Sequence, residues 1–141
     1  MATIYTIGFS GKNQNVFIDI LNAADIKMLV DIRLWRVARF VPWASGASLS
    51  NILDTRYKYM PELAPTKELL SDYKNRKIDW PEYERIFNDL LASRQIEKLF
   101  RPADLYKVCF LCTEKSADKC HRRLVVEYLQ QHFPEVEIGH L

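Results

Sequence analysis

Short apolar runs alternate along this chain with segments whose apolar positions recur at helical spacing. Residues 4–9 read as a strand that stops at Gly8-Phe9-Ser10-Gly11, where two glycines bracket a small polar turn. Val16, Phe17, Ile20, Leu21 and Ala24 then share one helical face, with Asn13 or Asn15 as candidate N-cap. Residues 28–33 form an almost continuous apolar run carrying Asp31 and Arg33, which predicts a buried strand of the parallel type. Between Leu34 and Ala47 the period is lost, and Pro42 and Gly46 predict a loop. Ser48 can cap a short helix bearing Leu49, Ile52 and Leu53, and residues 57–60 read as a third strand stopped by Pro61. Thr66 opens a further helix through Leu69, Leu70 and Tyr73. Asp79, Pro81 and Glu82 supply a cap, a first-turn proline and a capping-box acid for the next helix. Its stripe of Tyr83, Ile86, Phe87, Leu90 and Leu91 carries it to Leu99. Residues 106–112 read as a fourth strand, followed by a polar loop. A last helix begins near Lys119, capped by Ser116 or Asp118, with Leu124, Val125, Tyr128, Leu129 and His132 on one stripe. Residues 135–138 are the final strand.

This alternation predicts an α/β fold: one domain over residues 1–141, with a mostly parallel open sheet of about five strands and helices on both faces. Ligands of such sheets bind beyond the carboxyl ends of the strands. Those ends carry Ser10, Asp31 and Arg33, Glu62, Cys112 and Glu114, and His140. The expected site is where these polar tips converge.

Composition narrows the picture slightly. A chain of 141 residues with 48% hydrophobic and 27% charged residues is an ordinary globular balance, and a net charge of +2 is too small to argue for nucleic acid by itself. No basic leader precedes the first strand, and no apolar run approaches the ~18 residues of a membrane span, so a cytoplasmic protein without membrane association is expected. Three cysteines exclude a complete disulfide framework, so Cys109, Cys112 and Cys120 are expected as thiols, ligands or redox groups.

The densest chemistry lies around the fourth strand and the last helix. Cys112 closes the strand, Glu114 sits in the loop, and Cys120, His121 and Arg122 fall in the first helical turn, near unpaired amides and the positive end of the helix dipole. Such a setting lowers a thiol pKa; the opposing reading is two small buried residues. His121 falls in the centre of the helix's apolar stripe, where it serves as base, acid or thiolate partner, or as a core histidine bonded to a carbonyl. Cys109, inside the strand, reads as core. Zinc is not expected, because the spacing matches no standard motif and adjacent helical residues point about 100° apart. A phosphatase loop fails because Asp118 stands where its arginine belongs, whereas a rhodanese-like sulfur-transfer loop keeps a thiol at a strand end.

Arg33, Arg36 and Arg39 recur every three residues among Trp35, Phe40 and Trp43, a combination suited to phosphates and stacked bases. The alternative is a solvated loop with buried tryptophans and arginines paired to acids such as Asp31.

Taken together, Thr6-Ile7-Gly8-x-Ser10, Leu29-Val30-Asp31-Ile32-Arg33 followed by Arg39, Pro61-Glu62-Leu63, Leu111-Cys112-x-Glu114 with Cys120-His121-Arg122, and terminal His140-Leu141 resemble the family filed as "domain of unknown function 488". The resemblance covers essentially the whole chain. It implies a compact α/β domain of bacteria and archaea with a polar cluster at one edge and no established activity. The family's recurring polar residues would fall on Ser10, Asp31, Arg33, Arg39, Glu62, Cys112, Glu114, Cys120, His121, Arg122 and His140. This chain departs from the pattern at Phe9, Arg36 and Ala38, where the family usually has His, Pro and Ser.

The expectation is an enzyme acting on a nucleotide, nucleic acid or other phosphate-bearing substrate without cofactor or metal. In it Cys112, Glu114, Cys120 and His121 are catalytic, while Ser10, Asp31, Arg33, Arg39, Glu62, Arg122 and His140 bind substrate. A non-catalytic binding module and a sulfur-transfer enzyme are the alternatives. The oligomeric state is not legible.

Overall fold

Five strands, β1 (Thr3–Gly8), β2 (Met28–Asp31), β3 (Tyr57–Tyr59), β4 (Val108–Cys112) and β5 (Glu137–His140), make one sheet in the computed structural model, which describes residues 2–141. Their order is β3-β2-β4-β1-β5 and every pairing is parallel, so the sheet is wholly rather than mostly parallel. Five α-helices accompany it: α1 (Gln14–Ala23), α2 (Gly46–Leu53), α3 (Lys67–Lys74), α4 (Trp80–Arg94) and α5 (His121–His132).

Strand alternation sorts the core into two layers. Tyr5, Ile7, Leu29, Cys109 and Leu111 pack with Phe17 and Leu21 of α1 and Leu49 and Leu53 of α2. On the opposite face Ile4, Val30, Val108 and Phe110 pack with Leu69 of α3, Tyr83, Phe87 and Leu91 of α4, and Leu124, Val125 and Leu129 of α5. Cys112 follows Val108 and Phe110 by period two, so its side chain joins the α4/α5 layer.

The order also fixes where a site can form. From β1 the chain passes through α1 and crosses β4 to reach β2, whereas from β4 it passes through α5 and crosses β1 to reach β5. Right-handed crossovers in opposite directions require α1 and α5 on opposite faces, as found. The carboxyl ends of adjacent β1 and β4, where Gly8 stands beside Cys112, are therefore the topological switch point.

Several boundaries differ from those read in the sequence. Helix α2 starts two residues before Ser48, with Ser45 as N-cap. Helix α4 stops at Arg94 instead of Leu99, because Gln95 turns left-handed (φ 52°) and residues 96–99 continue as a 3-10 turn. The fourth strand begins at Val108, after Lys107 takes φ 55°. The second strand ends at Asp31, and the last runs over Glu137–His140. The predicted caps Asn13, Thr66 and Asp79 do accept from Val16, Leu69 and Glu82 amides. Among the described residues, no helix is long and apolar enough to cross a membrane.

Candidate functional site

Helix α5 begins later than its polarity pattern suggests. Its N-cap is Cys120, in extended conformation (φ −134°, ψ 142°), and neither Ser116 nor Asp118 caps it. Helical geometry therefore starts at His121, and Cys120 is free to turn its thiol to the same point as the imidazole. Cys112, from the end of β4, completes the group: one ligand-type atom from each of Cys112, Cys120 and His121 lies within 4.8 Å of the others, and all three residues are buried.

His121 is held by its ring. Nε2 stands 2.7 Å from the Ile32 carbonyl oxygen, so that nitrogen carries the hydrogen and donates it. The other nitrogen, Nδ1, faces Cys112 Sγ at 3.5 Å with its lone pair available. Phe87 packs edge-on against the ring.

The three thiols differ in acidity because their surroundings differ. Cys112 lies below the ordinary thiol range: the Cys120 S–H donates to it, and the Thr113 and Glu114 amides and the Arg122 charge add to this, outweighing burial. Cys120 is pushed up by that same bond to Cys112 and by burial. Burial alone raises Cys109, which sits among α1 and α2 residues on the other face.

A cavity of about 490 Å³ opens above this group. Its floor includes Cys112, Cys120 and His121, and its walls include Phe9, Trp35, Phe40, Tyr73, Trp80 and Tyr83. Charge enters through Arg33, Arg39, Lys74, Lys119 and Glu114. Trp35, Val37 and Phe40 are exposed large apolar residues on the 34–41 loop, Phe40 at 91%.

Arg33 is the buried cation of the wall. Asp31, itself fully buried, receives Arg33 Nε on Oδ1 at 2.8 Å and Nη2 on Oδ2 at 2.7 Å, and Tyr57 donates to Oδ2 at 2.6 Å. Burial pulls the Arg33 pKa down, but the bonds and charge of Asp31 outweigh it, so the guanidinium is held charged. Asp31 thus orients Arg33 and does not itself line the cavity.

Arg122 also lies off the cavity. Its Nη1 donates to the Glu114 carbonyl, Nη2 to the Lys115 carbonyl at 3.2 Å and Nε to Thr6 Oγ1 at 3.3 Å. It ties the loop after Cys112 down onto β1. Thr6 Oγ1 in turn meets His140 Nδ1, so His140 reaches the loop only through Thr6 and Arg122. Ser10 lies outside the lining, and its amide donates to the Thr113 carbonyl. Glu62 is exposed after β3, its carbonyl accepting from Arg94.

Of the residues singled out from the sequence, the fold therefore gathers Arg33, Arg39, Cys112, Glu114, Cys120 and His121 around one cavity. Asp31 and Arg122 stand behind it as braces; Ser10, Glu62 and His140 do not line it. Sequence reasoning did not find Tyr73, Trp80, Tyr83 or Lys119 as wall residues. Tyr73 and Tyr83 lie on apolar stripes, and nothing in a stripe tells which member faces a hole. Trp43, grouped with Trp35 in the sequence, packs instead against Phe9 and Phe17.

A family model described as "Domain of unknown function DUF488" matches residues 13–129. No curated protein and no solved structure matches the chain.

Proposed function

We propose, from the premise that the chain belongs to the family of the domain of unknown function DUF488, that it is an enzyme acting on a phosphate-bearing substrate of the nucleotide class bound in the cavity. The observation that carries this reading is the composition of that cavity: Cys112, Cys120 and His121 on the floor, a fixed guanidinium beside them and aromatic rings on the walls. Arg33, pre-oriented by Asp31, holds an anionic oxygen near the thiols, and Arg39 and Lys119 add charge at the wall. Trp35, Phe40 and Trp80 offer flat surfaces for a base. In the metal-free chain Cys112 is the nucleophile, and His121 Nδ1 is the group that takes and returns its proton.

The test is tryptophan fluorescence during titration with nucleoside phosphates and short oligonucleotides, with inorganic phosphate as reference. Trp35 and Trp80 line the cavity and report on it, and Trp35→Phe and Trp80→Phe assign the signal against Trp43. A saturable change that weakens at least about tenfold in Arg39→Ala is expected, the loss of one charge-assisted bond. No response from wild type to any of these ligands overturns the reading. Mass analysis of the ligand that binds then separates enzyme from binding module: a ligand recovered intact after long incubation favours the module.

A further inference from the structure

The cluster on the cavity floor has a second chemistry that a nucleophile alone does not need. We infer that Cys112, Cys120 and His121 form a site for one zinc ion, with its fourth coordination position open to the cavity. Tetrahedral zinc with Zn–S of about 2.3 Å and Zn–N of about 2.0–2.1 Å separates sulfur from nitrogen by roughly 3.5 Å. Cys112 Sγ and His121 Nδ1 stand 3.5 Å apart. All three donors lie within 4.8 Å of one another, so small side-chain rotations bring them onto one ion.

The imidazole is already in the metal-binding tautomer. Metal-ligating histidines donate their other N–H to a carboxylate, carbonyl or water, which fixes the ring and raises its basicity. Here Nε2 donates to the Ile32 carbonyl, leaving the Nδ1 lone pair aimed at the cluster. The charge also balances: two thiolates and a neutral imidazole around Zn²⁺ sum to zero, which suits buried ligands. Binding releases the thiol protons and oxidises nothing.

The objection from sequence dissolves in the fold. Adjacent residues diverge by about 100° only when both are helical, and Cys120 is the extended N-cap. Three protein donors with an open position are the arrangement of catalytic rather than structural zinc. Zinc held by these three residues would lower the pKa of a bound water, and Glu114, which lines the same cavity, would be the group that takes its proton. A hydroxide so formed would add to the substrate phosphorus as the P–O bond to the leaving group breaks, and Glu114 would return the proton to the leaving oxygen. Only this hydrolytic role rests on the substrate reading above; the metal site does not.

The experiment uses the full chain, reduced and stripped of metal, titrated with zinc in competition with a chromophoric chelator and separately with cobalt(II). Wild type should bind one equivalent, and the cobalt form should show thiolate-to-metal charge transfer. Cys112→Ser, Cys120→Ser and His121→Asn should each weaken binding by at least about 100-fold, beyond the tenfold-to-100-fold effects typical of outer-shell changes. Cys109→Ala should bind as wild type does. Sub-stoichiometric zinc with no charge-transfer band in wild type overturns the site, as does unchanged affinity in the three variants when circular dichroism shows them folded. If the variants do not fold, the wild-type cobalt spectrum decides. A nucleotide response without zinc binding removes only the metal; zinc binding without a nucleotide response removes only the substrate class.

Discussion

Cys112 and Cys120 face one another yet have opposite acidities, because Cys120 donates to Cys112, and the Thr113 and Glu114 amides and Arg122 act on Cys112 and not on Cys120. The Cys120 S–H is the largest single influence lowering the Cys112 pKa, ahead of the opposing burial and of the Thr113 amide. Removing that donor with Cys120→Ala should shift the pH profile of Cys112 alkylation upward, towards and beyond the ~8.5 of a free thiol. Iodoacetamide rates on metal-free protein, with Cys112 followed by peptide mass analysis, measure this; an unmoved profile would mean that the amides and Arg122 set the acidity. Asp31 makes a different kind of contribution. It is fully buried and pairs with an equally buried guanidinium, so Asp31→Asn leaves Arg33 with no counter-charge. Breaking such a pair costs about 3–5 kcal/mol, and a fall of that size in unfolding free energy is expected in urea titration.

At the scale of elements, the site depends on how closely the loop after β4 crosses β1. A β-carbon on Gly8 would lie 1.6 Å from the Glu114 carbonyl oxygen and 2.6 Å from Arg122 Nη1. The first of these is backbone, so the loop itself has to move. Gly8→Ala should therefore lose about 3 kcal/mol or more, the upper end of overpacking costs, and slow Cys112 alkylation as the Glu114 amide withdraws. Denaturant unfolding and alkylation of the same variant check both parts. This crossing also marks the limit of what the sequence discloses. Period and cap residues made the five strands and the caps Asn13, Thr66 and Asp79 legible, because those signals are local. The start of α5 was not legible: Ser116 and Asp118 are better N-caps than cysteine, yet Cys120 takes the position. The end of α4 was missed for a related reason, since Gln95 adopts a left-handed turn with no glycine to announce it. Arg122 could not be told from a ligand-binding arginine, because its partners are carbonyls that any sequence possesses.

Across the whole molecule, the edge strand β5 is wired to the site by a chain of polar contacts. His140 meets Thr6 Oγ1 in the neighbouring strand, and Arg122 donates to the same oxygen while gripping the loop whose Thr113 and Glu114 amides lie beside Cys112. His140 is an exposed residue whose ring is partly desolvated beside Thr6, and its pKa is lowered first by that partial desolvation and then by the charge of Arg122, with Arg123 adding and Glu127 opposing. The neutral ring is thus the form that the fold favours. In the unfolded chain the imidazole titrates near ~6.5, so as pH falls below that value the unfolded state takes up a proton before the folded state does. This contribution to stability is present above ~6.5 and is lost as pH falls through the lower folded value. His140→Gln removes the titration, so urea midpoints measured from pH 7.5 to 5 should fall less in the variant than in wild type. Parallel curves would mean that the ring is solvated in both states. The same protonation places a second cation beside Arg122. If the chain of contacts transmits it, Cys112 alkylation in metal-free wild type should change over this pH interval by more than the thiol's own titration accounts for, and the excess should vanish in His140→Gln.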